Sequence, residues 1–339
     1  MNAWVIDADA GWFGADRLER RARVLVNRNG VRRLPRDASI PRSARRVRVE
    51  GVLVPGLVDH HVHTDQIDVR ALLRSGIAAV RDLGAQPRYV FDLARRARHD
   101  PGLPRVIPAG PFLTAPGGYP TDRPWAQEGS CRIIRDPDDA AAAVRDLAAQ
   151  GARLIKVAMN ADAGPVLGDA ELKTVVHAAE SAGLRVISHA QGAGQVESAL
   201  RAGCHELAHT PFTHRLSDAT VEALAARMAW TSTVDIHGWG KDTEERRTAL
   251  DNLRRFHQAG GLVRYGTDLG NGPLPAAVNI RELKALTEAG LSPAQLLRSI
   301  ATSRSELAVL PGNPLADPLV ISRVTALVRA GRYVERTST

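Results

Sequence analysis

The chain has 339 residues, 44% of them hydrophobic, so it can form one large domain with a small appendage. Its net charge of +8 comes mainly from arginines interspersed with acidic residues, without aromatic interleaving or a recognition motif, which argues against a nucleic-acid-binding protein. The sequence has no apolar run long enough to span a membrane and no signal-peptide pattern at its N-terminus. Its two cysteines, Cys131 and Cys204, offer no disulfide framework, so we expect a cytoplasmic protein.

The two ends of the chain are predicted to form strands. Residues 1–50 contain two β-rich pieces about a turn at Asn29-Gly30, and residues 309–339 are again strand-rich. Strands from the two ends can pair with each other in one sheet. We therefore predict a small β domain that is built from both termini and flanks the central part of the chain.

Between the two ends, short apolar runs alternate with helical patterns, which predicts βα units and a parallel sheet. The eight runs are 51–63, 76–84, 105–110, 153–160, 184–190, 204–210, 228–235 and 262–270. The clearest helical patterns are 138–150, 169–182, 193–202, 217–226 and 243–259. This order predicts an α/β fold with a (β/α)8 TIM-like barrel over residues 51–308. A doubly wound open sheet is the alternative, but no glycine-rich phosphate loop follows a strand.

Metal-binding side chains stand near the ends of the predicted strands, where the active sites of such barrels lie. They are His61, His63, Lys156, His189, His209 and Asp268. His61 and His63 are two residues apart and therefore project from the same face of a strand. Imidazole and carboxylate groups together suit zinc or a similar divalent metal. Each residue alone could be structural, such as a buried salt-bridge lysine or a turn-forming aspartate, but five strand ends with ligand-type side chains favour a metal site.

Lys156 is one of only four lysines in a chain that otherwise uses arginine, and it lies in an apolar strand. A lysine at this position is expected to supply a property that arginine lacks. A neutral lysine amine can react with carbon dioxide to form a carbamate, which is an anionic, bidentate ligand able to bridge two metals. A barrel interior that lowers the pKa of the lysine would favour that reaction.

Residues 205–209 spell H-E-x-x-H, the signature of zinc metalloproteases, which requires a helix to bring both histidines to one face. The preceding helical pattern ends at Gly203 and a proline follows closely, so no helix of sufficient length fits here. We predict a strand instead. With a period of two, His205 and His209 would then share one face, and Glu206 would lie on the other.

The sequence resembles the metal-dependent amidohydrolase superfamily over nearly its whole length. The stretch VLVPGLVDHHVH matches the superfamily's P-G-x-x-D-x-H-x-H opening at Pro55, Gly56, Asp59, His61 and His63. The segments GIAAVRDLG, LIKVAMN, SHAQGAGQVESALRAGCHELAHT and RYGTDLG follow in the superfamily's order and spacing. The chain is most similar to the branch of imidazolonepropionase-like hydrolases and the related prolidases and aminoacylases.

This resemblance implies a centre of two divalent ions, with zinc expected. The implied ligands are four histidines, an aspartate and a carbamylated lysine, arranged as His61, His63 and Asp268 on the first ion, His189 and His209 on the second, and Lys156 between them. The resemblance also implies hydrolysis of a C–N bond in an amide, a cyclic amide or a dipeptide by a metal-activated hydroxide. Asp268 would take the proton of that hydroxide and pass it to the leaving nitrogen.

Two departures from the superfamily pattern bear on the substrate and on assembly. Where relatives commonly have G-G-H, this chain has Gly117-Gly118-Tyr119, so Tyr119 is a predicted substrate contact, as is His237 after the seventh strand. The segment before the last strands is shorter than usual. The small β domain should therefore be reduced, and a second copy could cover its edge in a homo-oligomer.

Three alternatives remain open. The first is a natural-product tailoring enzyme of the same fold, which opens or closes a lactam or another ring in a small-molecule substrate. A mononuclear deaminase is less favoured, because no catalytic glutamate follows the fifth strand. The third is a non-catalytic barrel that binds a partner or a nucleic acid through its arginine-rich N-terminal region, which predicts strongly salt-dependent binding. The complete ligand set argues against this last alternative.

Overall fold

The computed structural model describes residues 3–27, 30–35 and 37–335, so Asn29 of the predicted turn lies outside the described residues. The strands are β1 (Trp4–Gly11), β2 (Glu19–Arg20), β3 (Arg23–Asn27), β4 (Gly30–Arg33), β5 (Arg45–Pro55), β6 (Leu57–Val62), β7 (Ile77–Asp82), β8 (Arg105–Pro108), β9 (Phe112–Thr114), β10 (Cys131–Ile133), β11 (Ile155–Asn160), β12 (Val186–Gln191), β13 (Glu206–Leu207), β14 (Ala229–Thr231), β15 (Leu262–Arg264), β16 (Leu307–Leu310), β17 (Ala326–Arg329) and β18 (Arg332–Glu335). The α-helices are α1 (Val69–Arg74), α2 (Pro87–Ala97), α3 (Pro137–Gln150), α4 (Asp169–Ser181), α5 (Gln195–Ala202), α6 (Asp218–Arg227), α7 (Glu244–Gln258), α8 (Ile280–Glu288) and α9 (Pro293–Ile300). Short 3-10 turns occur at Thr64–Gln66, Val234–His237 and Pro318–Ser322.

Strands from both ends of the chain form one sheet, in the order β18-β17-β16-β5-β1-β3-β4, with β2 paired to β1. β5 is parallel to β1 and antiparallel to β16. Alternating apolar residues of these strands bury a separate small core, which includes Ile6, Val24, Leu53, Val309 and Val328. Pro55 of β5 pairs with Leu307 of β16. This terminal sheet therefore extends past residue 50 and begins before residue 309, the two predicted limits of the small β domain.

The middle of the chain forms parallel sheets with intervening helices, which confirms the predicted α/β class. β6, β7 and β8 form one sheet, and the other has the order β10-β9-β11-β12-β13-β14-β15. Every strand pair in these two sheets is parallel. Over the part of the chain that the structure describes, the strand ladders do not close into a single sheet.

The third predicted strand, 105–110, ends early at Pro108, and the break between it and the next short strand separates the two sheets. Pro108 ends β8 and Pro111 precedes β9, with Gly110 between them at φ 87°, a conformation that favours glycine. As a result β8 pairs with β7, whereas β9, which the apolar pattern did not predict, pairs with β11. A backbone hydrogen bond of 2.9 Å from the Arg153 N–H to the Pro108 carbonyl crosses the break.

The segment after β15 runs beside β6 and carries Asp268 to the ends of the strands. Leu269 forms a parallel bridge with Val62 of β6. On the other side of the same segment, the N–H of Thr233 donates to the carbonyl of Gly266 at 3.1 Å. The segment therefore connects the last strands of the longer parallel sheet to β6.

Helix boundaries follow local sequence signals. The side chain of Asp136 caps α3 by accepting a hydrogen bond from the Asp139 N–H at 2.8 Å, and Pro137 occupies the first helical turn. The helix ends at Gly151, which has a φ of 108°. The five helices predicted from the sequence correspond to α3 to α7, each within two residues at either end. None of the helices in the described residues is long and apolar enough to cross a membrane.

The H-E-x-x-H segment is not helical. Gly203, at φ 83°, ends α5, and the segment that follows contributes the short strand β13 to the longer parallel sheet. The prediction of a strand is confirmed, and the motif does not form the helix on which a zinc protease depends.

Candidate metal and substrate site

A cavity of about 410 Å³ brings together every site residue predicted from the sequence. The predicted ligands and substrate contacts that line it are His61, His63, Tyr119, Lys156, His189, His209, His237 and Asp268. His61 lies near the carboxyl end of β6, and Asp268 follows β15. Lys156 differs from the expectation, because it is the second residue of β11 and its long side chain reaches the cavity from the start of the strand.

Hydrogen bonds fix which nitrogen atom of His61 and His63 is directed at Asp268. The Nδ1 of His61 lies 2.8 Å from the carbonyl oxygen of Ala208, and the Nδ1 of His63 lies 2.9 Å from that of Gly84. Because a carbonyl oxygen only accepts hydrogen bonds, both Nδ1 atoms carry a proton and donate it. The two Nε2 atoms lie 2.9 and 3.2 Å from the same Oδ1 atom of Asp268.

Burial and mutual contacts shift the pKa values of His61, His63 and Asp268 in different directions. Burial lowers the pKa of His61 to about 4, so its ring is neutral near pH 7. Burial acts in the same direction on His63, but the hydrogen bond to Asp268 and the charge of that carboxylate outweigh it and raise the pKa of His63. For Asp268, burial opposes ionisation, but the neighbouring His61 and His63 outweigh it and hold the pKa of the carboxyl well below its usual range.

This arrangement fits a metal ion. The neutral ring of His61 directs the lone pair of its Nε2 at the carboxylate oxygen of Asp268, and these two acceptors repel each other unless a cation or a proton lies between them. Ligand atoms of His61, His209 and Asp268 all lie within 4.8 Å of one another. Imidazole nitrogen and carboxylate oxygen are donors that bind zinc and similar divalent ions. His209 therefore lies close to His61 and Asp268, two ligands of the first expected ion, although the resemblance assigns His209 to the second ion.

Asp59 holds the backbone that carries these ligands. It accepts hydrogen bonds from the N–H of His61 at 3.0 Å and from the N–H and hydroxyl of Thr267 at 3.1 and 2.6 Å. These bonds tie β6 to the residue before Asp268. Asp268 itself has a φ of 55°, and its Oδ2 accepts a hydrogen bond from the Nδ2 of Asn271 at 2.8 Å. Asp tolerates this left-handed conformation better than most residues do.

His189 and His209 form the other side of the ligand group. Their ring centroids are 4.8 Å apart, and the His209 centroid is 4.6 Å from that of His61. The Nδ1 of His209 lies 3.0 Å from the hydroxyl oxygen of Thr233, a buried residue whose φ of 47° is unusual for a β-branched side chain. The Nε2 of His189 is buried without a hydrogen-bond partner among the described residues. Burial lowers the pKa of His189 to about 3, so this nitrogen is a neutral donor suited to a metal.

Lys156 lies in an environment that disfavours its positive charge. Its side chain is almost fully buried, with an exposed fraction of 1%. Burial is the main cause that lowers the pKa of its amine to about 7. A substantial fraction of the amine is therefore neutral near pH 7, which is the form that reacts with carbon dioxide.

Aromatic side chains form one side of the cavity, and we call Phe112, Tyr119 and Trp125 the aromatic wall. The ring centroid of Trp125 lies 6.3 Å from that of Phe112 and 6.0 Å from that of Tyr119, in edge-to-face geometry. Tyr119 also stacks on His189 with a centroid distance of 5.3 Å. Of these three residues, only Tyr119 was predicted from the sequence. Phe112 and Trp125 belong to the segment that follows the third predicted strand, 105–110, and this position after a strand end was the signal that could have indicated them.

The other predicted substrate contact, His237, lies in the 3-10 turn after β14. Its ring centroid is 4.0 Å from that of Phe212, which also lines the cavity. Its Nε2 is buried and has no hydrogen-bond partner within the described ranges. Burial lowers the pKa of His237 to about 4. His237 therefore offers a neutral imidazole with an unpaired nitrogen.

The model of the amidohydrolase family matches residues 52–303, a range that includes every predicted site residue. The chain belongs to the amidohydrolase family. Ochratoxinase of Aspergillus niger is 27% identical over 238 residues, which cover 63% of this chain and 48% of the relative. The match therefore spans about half the length of that curated relative.

Solved structures of other hydrolases share this fold. The crystal structure of A. niger ochratoxinase has a TM-score of 0.79 at 19% identity and covers 98% of this chain and 96% of its own. A prolidase complexed with N-methylphosphonate-L-proline has a TM-score of 0.80 at 20% identity and covers 99% of this chain and 100% of its own. At these identities the similarity establishes the fold alone.

In this amidohydrolase the glutamate of H-E-x-x-H belongs to a buried ion cluster. One carboxylate oxygen of Glu206 accepts from Arg81 at 2.8 Å and from the hydroxyl of Thr231 at 2.7 Å, and the other accepts from Arg264 at 3.1 Å. Burial would raise the pKa of Glu206, but Arg81 and Arg264 outweigh it and lower the value to about 2. Sequence spacing gives no sign of this cluster, because its members are far apart in the chain.

The two histidines of the motif lie in different places. His209 lines the cavity, whereas His205 lies 3.6 Å from Glu180 of α4. The predicted common face for His205 and His209 is therefore wrong. The reason is that β13 ends at Leu207, so the alternation of a strand no longer applies to His209.

Proposed function

We propose that this chain is a metal-dependent hydrolase that cleaves the C–N bond of a small-molecule amide, cyclic amide or dipeptide. The observation that carries the proposal is the geometry of His61 and His63, whose Nε2 atoms meet at one oxygen of Asp268 inside a cavity with aromatic lining. The similarity to ochratoxinase and to a prolidase supports an amide-type or peptide-type substrate.

The proposed cofactor is a pair of divalent ions, with zinc favoured by the donor set. Its ligands would be His61, His63 and Asp268 on one ion, His189 and His209 on the other, and carbamylated Lys156 between them. The closeness of His209 to His61 and Asp268 supports a compact arrangement of the whole set. When bound, the ions supply Lewis-acid chemistry, which activates water and polarises the scissile carbonyl.

The side chains of the site have separate roles in this proposal. Asp268 would accept a proton from the attacking water at a carboxylate oxygen and deliver it to the leaving nitrogen. Burial raises the pKa of Tyr119, so its hydroxyl stays protonated and can donate to the substrate. His237 would orient the substrate through its unpaired Nε2.

We further propose that the two parallel sheets are the wall of one (β/α)8 barrel over residues 51–308, with residues 1–50 and 309–339 forming the small β domain. The Val62–Leu269 bridge supports this at one boundary between the sheets, and the hydrogen bond from Arg153 to the Pro108 carbonyl supports it at the other. β4 and β18 are the edge strands of the terminal sheet, and a second copy that covers either edge would give a homo-oligomer.

Metal content per chain, measured by elemental mass spectrometry, tests the proposed centre. Protein produced with zinc and bicarbonate should contain about two equivalents, and Lys156→Ala should lose much of this because the bridging ligand is absent. Lys173→Ala removes an exposed lysine of α4 and is the matched control, which should keep the full content. About one equivalent in every protein would favour the mononuclear deaminase instead. Protein without metal would refute the proposal.

A further inference from the structure

The cavity has a charge pattern that restricts its substrate. The chain has 45 lysine and arginine residues, but Lys156 is the only one of them that lines the cavity in the described part of the chain. The proposed function assigns Lys156 to the metal centre as an anionic carbamate. The polar lining residues that are not proposed ligands include Gln66, Gln191 and Asn271, whose side chains are neutral amides. A carboxylate on the substrate, remote from the scissile bond, would therefore meet no cationic side chain.

Arg123 lies beside the aromatic wall, outside the cavity lining. Its guanidinium lies 5.7 Å from the centre of the Tyr119 ring. Its Nε is 3.2 Å from a carboxylate oxygen of Asp122, and Arg123 is not among the lining residues. The adjacent carboxylate of Asp122 therefore offsets the charge of Arg123 outside the cavity lining.

Aromatic side chains are concentrated in the same cavity. Phe, Trp and Tyr make up only 4% of the chain, yet four of them line this one site: Phe112, Tyr119, Trp125 and Phe212. The aromatic wall extends from the ligands toward solvent, because Phe112 lies 5.7 Å from the His63 ring and is 4% exposed, while Trp125 is 39% exposed. A flat aromatic group beside the scissile amide would make edge-to-face or stacked contacts along this wall.

We propose that the site takes neutral amides that carry an aromatic group, which packs against Phe112, Tyr119 and Trp125, and that it discriminates against amides with a remote free carboxylate. This inference rests on the proposed hydrolase function. Its physical basis is that transfer of an ionised carboxylate from water into the part of the cavity away from the proposed ions, where no cationic side chain lines it, is costly, whereas an aryl ring gains from burial.

A matched pair of ligands tests the inference. Benzanilide and N-benzoyl-4-aminobenzoate differ only by a carboxylate in the para position, which keeps that charge away from the scissile carbonyl. Binding to zinc-loaded protein is measured by isothermal titration calorimetry, and turnover is followed separately by chromatography. We expect benzanilide to bind about tenfold or more tightly than its carboxylate partner. Equal or tighter binding of the carboxylate, or no binding of either ligand, would overturn the inference.

Binding and turnover separate the two proposals. If benzanilide binds selectively but is not hydrolysed by protein with an intact metal content, the substrate class stands as a binding preference and the hydrolase proposal fails for this amide. If both ligands are hydrolysed equally well, the hydrolase proposal stands and the inference fails.

Two variants locate the effect in the cavity. Trp125→Ala should weaken benzanilide binding about fivefold or more, and Trp125→Phe should recover most of the loss because it restores an aromatic face. Gln66→Arg places a cation in the lining and should bring the affinity of the carboxylate ligand close to that of benzanilide, whereas Gln66→Met should leave the original preference. A carboxylate affinity that does not respond to Gln66→Arg, together with unchanged binding in Trp125→Ala, would refute this placement of the ligand.

Discussion

The contact between Thr233 and His209 gives a sharp test of how the ligand group is held. Thr233→Val keeps the shape of the side chain but removes the hydroxyl that lies 3.0 Å from the Nδ1 of His209. If Nδ1 donates to that hydroxyl, Nε2 is left with its lone pair for a metal. Thr233 is fully buried, so water cannot replace the lost partner. Losing such a partner typically costs about 10- to 100-fold in metal affinity, or about 1.4 to 2.7 kcal/mol.

The assay is competitive zinc titration against a chromophoric chelator, with the thermal unfolding of metal-free protein measured alongside it. Thr233→Ser is the matched control, because it keeps the hydroxyl and removes only the methyl group. We expect Thr233→Ser to bind zinc nearly as the parent does, and Thr233→Val to bind it about 10- to 100-fold more weakly. Equal zinc affinities in the two variants would show that the hydroxyl does not orient His209.

Two further predictions concern buried carboxylates. Asp268→Asn should keep the fold and metal but lower kcat/KM by about 10²- to 10⁴-fold, since the amide cannot take up the proton, and an active variant would rule out the proton-transfer role. Glu206→Gln leaves Arg81 and Arg264 without their buried counter-ion, so denaturant unfolding at pH 7 should show a loss of about 3 kcal/mol or more. The folded pKa of Glu206, about 2, lies below its ordinary value of 4.5, so its stabilisation is complete above pH 4.5 and declines as the pH falls toward 2. The difference in stability between parent and variant should therefore narrow over that interval, and a constant difference would contradict the role given to this cluster.

Helices were the most predictable part of the fold, because the signals that bound them are local. The pattern over 138–150 begins after Asp136 and ends at Gly151, and both residues make the capping interactions that their types favour. Strand lengths were less predictable. Of the apolar run 228–235, only the three residues of β14 form a strand. A parallel strand ends where the hydrogen bonds to its neighbouring strand end, and the length of an apolar run does not indicate that point.

The proposed metal ligands could be found from the sequence because histidine and carboxylate side chains at several strand ends are typical of a metal site. His61 and His63 needed only the alternation of a strand to be placed together. The residues that hold them were not accessible in this way. Thr233 is an ordinary threonine in the sequence, and its role depends on a positive φ and on a partner 24 residues away. The positions of Tyr119 and Trp125 likewise depend on the path of the loop between β9 and β10, which no periodic pattern describes.

The H-E-x-x-H segment shows how one short stretch serves two separate parts of the molecule. Glu206 joins the buried cluster with Arg81, while His209 lies in the cavity next to His61. An uninterrupted strand would place these two side chains on opposite faces, because they are three residues apart. The early end of β13 removes that constraint. The end of β13 at Leu207 therefore allows Glu206 and His209 to serve these two separate parts of the molecule.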